Sequence, residues 1–169
     1  MLTRRHYITG DVVSLRLLNS RVPAPEPAPG LHLTLRQRLD RSWFSVWIAV
    51  QGPEVEPGPE WRLFERVDQP SVYATVSLRG RPVSIGRAVT DTGWTGIFNM
   101  ATLPEARRRG AARAVLAGLT GWAHEGERTS VYLQVEAESS TASHLDEGAG
   151  FEEVCVHHYC TDADVPHVS

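Results

Sequence analysis

The chain predicts an α/β fold of the α+β kind, a mixed sheet with helices on its faces in the order β-α-α-β-β-β-α-β-α-β. Three observations carry that prediction. Residues 71–102 hold three β-rich runs, SVYATVSL, PVSIGRAV and WTGIFNMATL, broken by turn residues at Arg79-Gly80-Arg81 and Asp91–Gly93, the pattern of an antiparallel meander. After Gly110 an amphipathic helical stripe gives way to TSVYLQVE, which alternates as a strand does. Between residues 40 and 67 two short segments carry helix-opening signals.

At the N-terminus, DVVSLRLL is a short strand-like piece, followed by VPAPEPAPG, in which Pro23, Pro25, Pro27 and Pro29 alternate with small or acidic residues. That alternation favours extended polyproline II, so Val22 to Gly30 reads as a linker. Residues 1–30 are therefore expected to be an N-terminal arm, 31–161 the domain and 162–169 a tail. Whether DVVSLRLL is an arm, an added edge strand or the end of another domain stays open.

From Leu31, LHLTL reads as a strand and DRSWFSVWIAV as a helix capped by Asp40 or Ser42. PGPEWRLFERV is a second helix with proline near its start. Beyond the meander, Ala112, Val115, Leu116, Leu119 and Ala123 share one helical stripe, with Arg113, Thr120 and His124 off it. In the next strand Val131, Leu133 and Val135 alternate with Tyr132, Gln134 and Glu136. SSTASHLDEGAGF is a short helix ending at glycine, and EEVCVHHYC is a closing strand.

Composition narrows the function. At 169 residues, 41% apolar and 22% charged, the chain has room for one domain with a core. A net charge of −3 supplies no broad positive field, so nucleic acid is not an expected partner. Two cysteines make no disulfide framework, and the richest apolar run, WFSVWIAV, is far short of the roughly 20 residues that span a bilayer. A cytoplasmic protein without a membrane partner is expected. Along a strand Cys155 and His157 face one side and His158 and Cys160 the other, so no metal site is expected either.

Against that acidic background, LPEARRRGAARAVLAGL places Arg107, Arg108 and Arg109 beside Gly110, just where a helix begins. On an ordinary loop they would be solvated charges. At a helix start, unpaired N–H groups and the dipole already favour an anion, and glycine lets that anion approach the main chain. The three arginines make that a local polyanion site.

The pattern Arg107-x-x-Gly110-x-Ala112, after a strand ending MATLP and before VYLQVEAESSTASHLDEGAGF, resembles the signature of the GCN5-related N-acetyltransferase (GNAT) superfamily over Trp94 to Tyr159. The resemblance implies acetyl-CoA or another acyl-CoA as cofactor. Met100, Ala101, Thr102 and Leu103 would offer strand backbone to its pantetheine arm. Arg107, Arg108, Arg109, Gly110, Ala111 and Ala112 would wrap its pyrophosphate, with Arg113 in reach of a phosphate. The family's usual acid, a tyrosine before GF, corresponds to Asp146, and its helix-opening asparagine to Ser139, a competent helix cap. An aspartate with an ordinary pKa is ionised at neutral pH and would need a shift of about three units to donate a proton. The glutamate of the histone-acetylating branch corresponds to Gly96, which leaves Glu136 and Asp91 as candidate bases.

The resemblance thus implies an N-acetyltransferase acting on a primary amine, on a small molecule or a protein. The alternative is a catalytically reduced domain that binds CoA or serves as a partner or structural module. Pairing with a second copy or with another domain of the same kind stays open.

Overall fold

A computed structural model describes residues 7–18, 28–125, 130–136 and 145–162, with side chains described from Val12 to His158. The strands are β1 (Tyr7–Leu18), β2 (Leu31–Arg36), β3 (Ser71–Leu78), β4 (Arg81–Asp91), β5 (Trp94–Thr102), β6 (Ser130–Glu136) and β7 (Glu152–Asp162). The helices are α1 (Arg41–Gln51), α2 (Pro57–Glu65) and α3 (Ala111–Glu125). A 3-10 turn at Pro104–Ala106 and one helical turn at 145–147 complete them. The strands form one mixed sheet in the order β2-β3-β4-β5-β6-β1-β7.

The expected meander is β3-β4-β5. Its two hairpins close on the pairs Leu78↔Arg81 and Asp91↔Trp94, and each two-residue turn is left-handed at both positions, at Arg79-Gly80 and Thr92-Gly93. That backbone matches the right-handed twist of the flanking strands. β5 and β6 run parallel, joined by the α3 crossover.

α3 buries Ala111, Ala114, Val115, Leu116, Leu119 and Ala123 on one face of the sheet. Thr120, expected off the stripe, is buried within it, because its hydroxyl is satisfied by donating to the Leu116 carbonyl at 3.0 Å. Ala112, expected on the stripe, is half-buried. The opposite face is covered by α1 and α2 through Trp43, Val46 and Phe64. Asp40 caps α1, its Oδ1 accepting the Trp43 N–H at 2.9 Å.

The expectation of a separable arm with a domain boundary at residue 31 is corrected for residues 7–18. β1 lies between β6 and β7 and is antiparallel to both. Val13, Ser14, Arg16 and Leu18 are all at most 7% exposed. Both faces of DVVSLRLL carry buried residues, which suits an interior strand. Of the proline-rich linker, Pro23 to Pro27 lie outside the described residues; Ala28 is in place and accepts the Leu31 N–H at 3.0 Å. The closing strand reaches Asp162. Of the expected helix over SSTASHLDEGAGF, only its last turn falls among the described residues.

Candidate functional site

The parallel ladder between β5 and β6 is short. It runs from Trp94↔Ser130 to Ile97↔Leu133, after which β5 continues to Thr102 and β6 to Glu136 without pairing to each other. A bulge explains the parting. Ile85 pairs with Ala101 and Arg87 with Phe98, so Gly86 alone opposes Asn99 and Met100, and Asn99 takes φ 54°. Such a bulge bends its strand and re-aims the residues beyond it. A Cβ at Gly86 would come within 2.7 Å of Val115 Cγ1 and 2.8 Å of Met100 Sδ, so bulge and helix close on a position with room for no side chain. The result is a fork, with Met100, Ala101 and Thr102 along one wall and β6 along the other.

At the mouth of that wall the chain passes Leu103 and the 3-10 turn into Arg107–Gly110 and then α3. Arg108 (φ 59°) and Gly110 (φ 81°) are both left-handed, curling the loop onto the helix start. The first main-chain helical bond is from the Ala114 N–H to the Gly110 carbonyl at 3.0 Å. The N–H groups of Ala111, Ala112 and Arg113 precede it and have no carbonyl within their own helix. Arg107, Arg108, Arg109 and Arg113 are exposed around them. Arg107 Nε donates to the Thr102 carbonyl at 3.5 Å, tying loop to strand. The loop thus sets backbone donors at the positive end of a 15-residue helix, with four exposed arginines around them.

Across the fork, Leu133 pairs with Ile97 on one side and Arg16 on the other, so Arg16 stands one strand beyond the apex. Asp146 is buried nearby, 4% exposed, and its carbonyl accepts the N–H groups of Ala149 and Phe151, both at 3.0 Å. Burial pushes its carboxyl up to about 6, against the opposing pull of Arg16 and with a smaller push from Glu147. The ordinary aspartate acidity expected from sequence is therefore corrected. Among the described residues Asp146 Oδ2 has no hydrogen-bond partner. Arg16 Nη1 lies 3.5 Å from Glu147 Oε1. Ser139 lies outside the described residues.

The two candidate bases lie far apart. Glu136 is exposed at the open end of β6, whereas Asp91 is exposed beside Trp94, where β5 begins. Strand rise puts them about 20 Å apart, on either side of the apex. The structure does not bring Asp91 to the fork, and it leaves the candidate set. Gly96 also has a physical reason: a Cβ there would fall 2.5 Å from the Phe98 ring and 2.7 Å from Tyr132 Cζ. Those rings meet edge to face at 5.9 Å and occupy the space of any acid.

Two residues were missed in the sequence, Arg16 and Arg87. The signal for both was a lone charge inside an apolar strand, in SLRLL and SIGRAV. Arg87 pairs with Tyr73 on one side and Phe98 on the other. Its guanidinium carbon stands 5.3 Å from the Phe64 ring centre and 5.9 Å from that of Tyr73. Both rings also line a cavity of about 620 Å³ between α2, the end of β2 and the start of β3.

An uncharacterised N-acetyltransferase, YobR of Bacillus subtilis, is 28% identical over 119 residues, which are 69% of this chain and 48% of that protein. A GCN5-related N-acetyltransferase from Kribbella flavida superposes with a TM-score of 0.71 at 17% identity, over 96% of this chain and 62% of that one. AAC(6')-Iy, in complex with the bisubstrate analogue CoA-S-monomethyl-acetylneamine, gives 0.56 at 16% identity, over 72% and 92%. The chain thus spans about half the length of its curated relative. The family described as probable histone acetyltransferase Rv0428c, C-terminal, matches residues 13–161, and with that match the chain belongs to it and to the GNAT superfamily.

Proposed function

We propose that this domain is an acyl-CoA-dependent N-acyltransferase that moves an acetyl group from acetyl-CoA to a primary amine. The observation that carries the proposal is the joined pair of fork and anion loop. Pantetheine, an amide chain, finds strand backbone at Met100 to Leu103, and a pyrophosphate finds the donors of Gly110 to Arg113. The CoA-based analogue bound by AAC(6')-Iy supports the same donor for this fold.

An acyl-CoA supplies a thioester carbonyl. The amine nitrogen forms a bond to that carbon, the C–S bond breaks, and the sulfur leaves as a thiolate that takes a proton. Asp146, with a carboxyl near 6, is protonated in about a tenth of molecules at pH 7, close enough to operating pH for general acid catalysis. Glu136, at the open end of the fork, is the proposed base, acting through solvent.

A second reading, a reduced domain that binds CoA without turnover, draws on the closure of Gly96 by Phe98 and Tyr132. Titration calorimetry with acetyl-CoA, on wild type and Gly110→Glu, tests the site, and thiol release against an amine panel separates the two readings. The substitution puts bulk and negative charge among the helix donors and is expected to weaken binding at least about tenfold, or 1.4 kcal/mol. Equal affinity in the two proteins overturns the site. Binding with no thiol release from any amine favours the reduced domain.

A further inference from the structure

We infer that Arg87 reads a carboxylate on the molecule that meets the fork, carried by either the acyl group or the amine acceptor. Arg87 is half-buried, and its Nε and Nη1 are buried without a hydrogen-bond partner among the described residues. No described carboxylate pairs with it. Glu60, on α2 above the same face, is engaged by the Trp47 indole N–H at 3.0 Å. Withdrawing a cation from water is unfavourable unless something replaces its hydration, and two ring faces do so only in part. They lie against the guanidinium and offer no acceptor to its N–H edge. A carboxylate matches that edge, because the planar fork of donors takes two oxygens at once.

The location makes the match functional. Phe98, Arg87's neighbour across the ladder, is the first β5 residue past the apex of the fork, and Tyr73, its neighbour on the other side, lines the cavity beneath α2. Arg87 thus stands in the ladder between Phe98, at the fork where the thioester carbonyl would stand, and Tyr73, on the wall of that cavity. The proposed phosphate donors at Arg107 to Gly110 open α3, which packs on the opposite face of the sheet from Phe64 and Tyr73. This inference rests on the acyl-transfer reading for its choice of ligands.

Calorimetry on wild type, Arg87→Gln and Arg87→Lys tests it in two arms. The donor arm compares succinyl-CoA with acetyl-CoA. The acceptor arm compares N-acetylglycine and N-acetylleucine with their amides, with and without saturating CoA. In one arm wild type is expected to prefer the carboxylate about 30-fold, roughly 2 kcal/mol. Arg87→Gln erases that preference while leaving the neutral ligand's affinity unchanged, and Arg87→Lys keeps part of it. The arm that responds identifies the source. Equal affinity for carboxylate and neutral ligand in both arms of wild type overturns the inference, as does a loss for both ligands alike in both variants. Failure of every CoA ligand to bind, with carboxylate preference kept in the CoA-free arm, overturns the acyl-transfer reading and leaves Arg87's role standing.

Discussion

At Asp146, burial and charge pull in opposite directions, and burial wins. Its carboxyl rises from 3.8 to about 6, so the folded protein holds that proton more tightly than the unfolded chain does. The contribution of this group to stability therefore falls as pH rises from about 4 to 6 and is flat above, by roughly 3 kcal/mol for a two-unit shift. Asp146→Asn lacks this dependence. Urea unfolding of both proteins from pH 4 to 7 should show the variant gaining about that much on wild type. A constant difference would mean the carboxyl is not buried as described. Gly96 makes a second residue-scale case. Gly96→Ala should lose about 1–3 kcal/mol, since the added methyl must displace Phe98 or Tyr132, and Gly96→Glu should create no base. Thermal melts and thiol release check the two claims, and an undiminished melt for Gly96→Ala would contradict the ring contacts.

Elements whose signals are local were legible before the structure. Asp40 ahead of an apolar run marks the start of α1, the left-handed pairs Arg79-Gly80 and Thr92-Gly93 mark the hairpins, and Arg107 to Gly110 mark the opening of α3. The fork was not legible, because it comes from the register of β5 against β4, where Gly86 faces two residues, and no pattern within β5 states its partner's spacing. Thr120 defeated the helical stripe for a different reason: a hydroxyl bonded to its own helix packs like an apolar group. α1 offers a clean test of the local kind. Asp40→Ala removes the cap and a 2.9 Å pair with Arg36 that is mostly exposed and contributes little. The expected loss is about 1 kcal/mol, read by melting. Acetyl-CoA affinity should not change, because α1 packs on the face opposite α3. A large drop in affinity would show that the two faces are coupled.

For the whole molecule, the decisive fact is where the chain's first strand sits. DVVSLRLL can be read as a strand from its pattern, but a period of two does not say which strands will flank it, and the prolines that follow suggest separation. β1 instead lies between β6 and β7, with six registered pairs to one and nine to the other. A chain starting at Leu31 would therefore lose Leu18 and Val13 from the core, leave Asp146 without Arg16, and expose two long unpaired edges, which invite aggregation. It should be insoluble or melt far below wild type. Because Tyr7 pairs with Asp162, the end of β7 already lies beside the start of β1. Joining Asp162 to Tyr7 by a short turn, with new ends between Leu18 and Ala28, makes an ordinary β7-β1 hairpin and keeps every strand pair. This circular permutant should be soluble, melt close to wild type and bind acetyl-CoA with the same affinity, although it begins almost where the failed truncation does. A truncation at Leu31 that melts as wild type does would show that β1 is dispensable. If the permutant failed alongside the truncation, the order of the chain, and not the missing strand, would be what the fold requires.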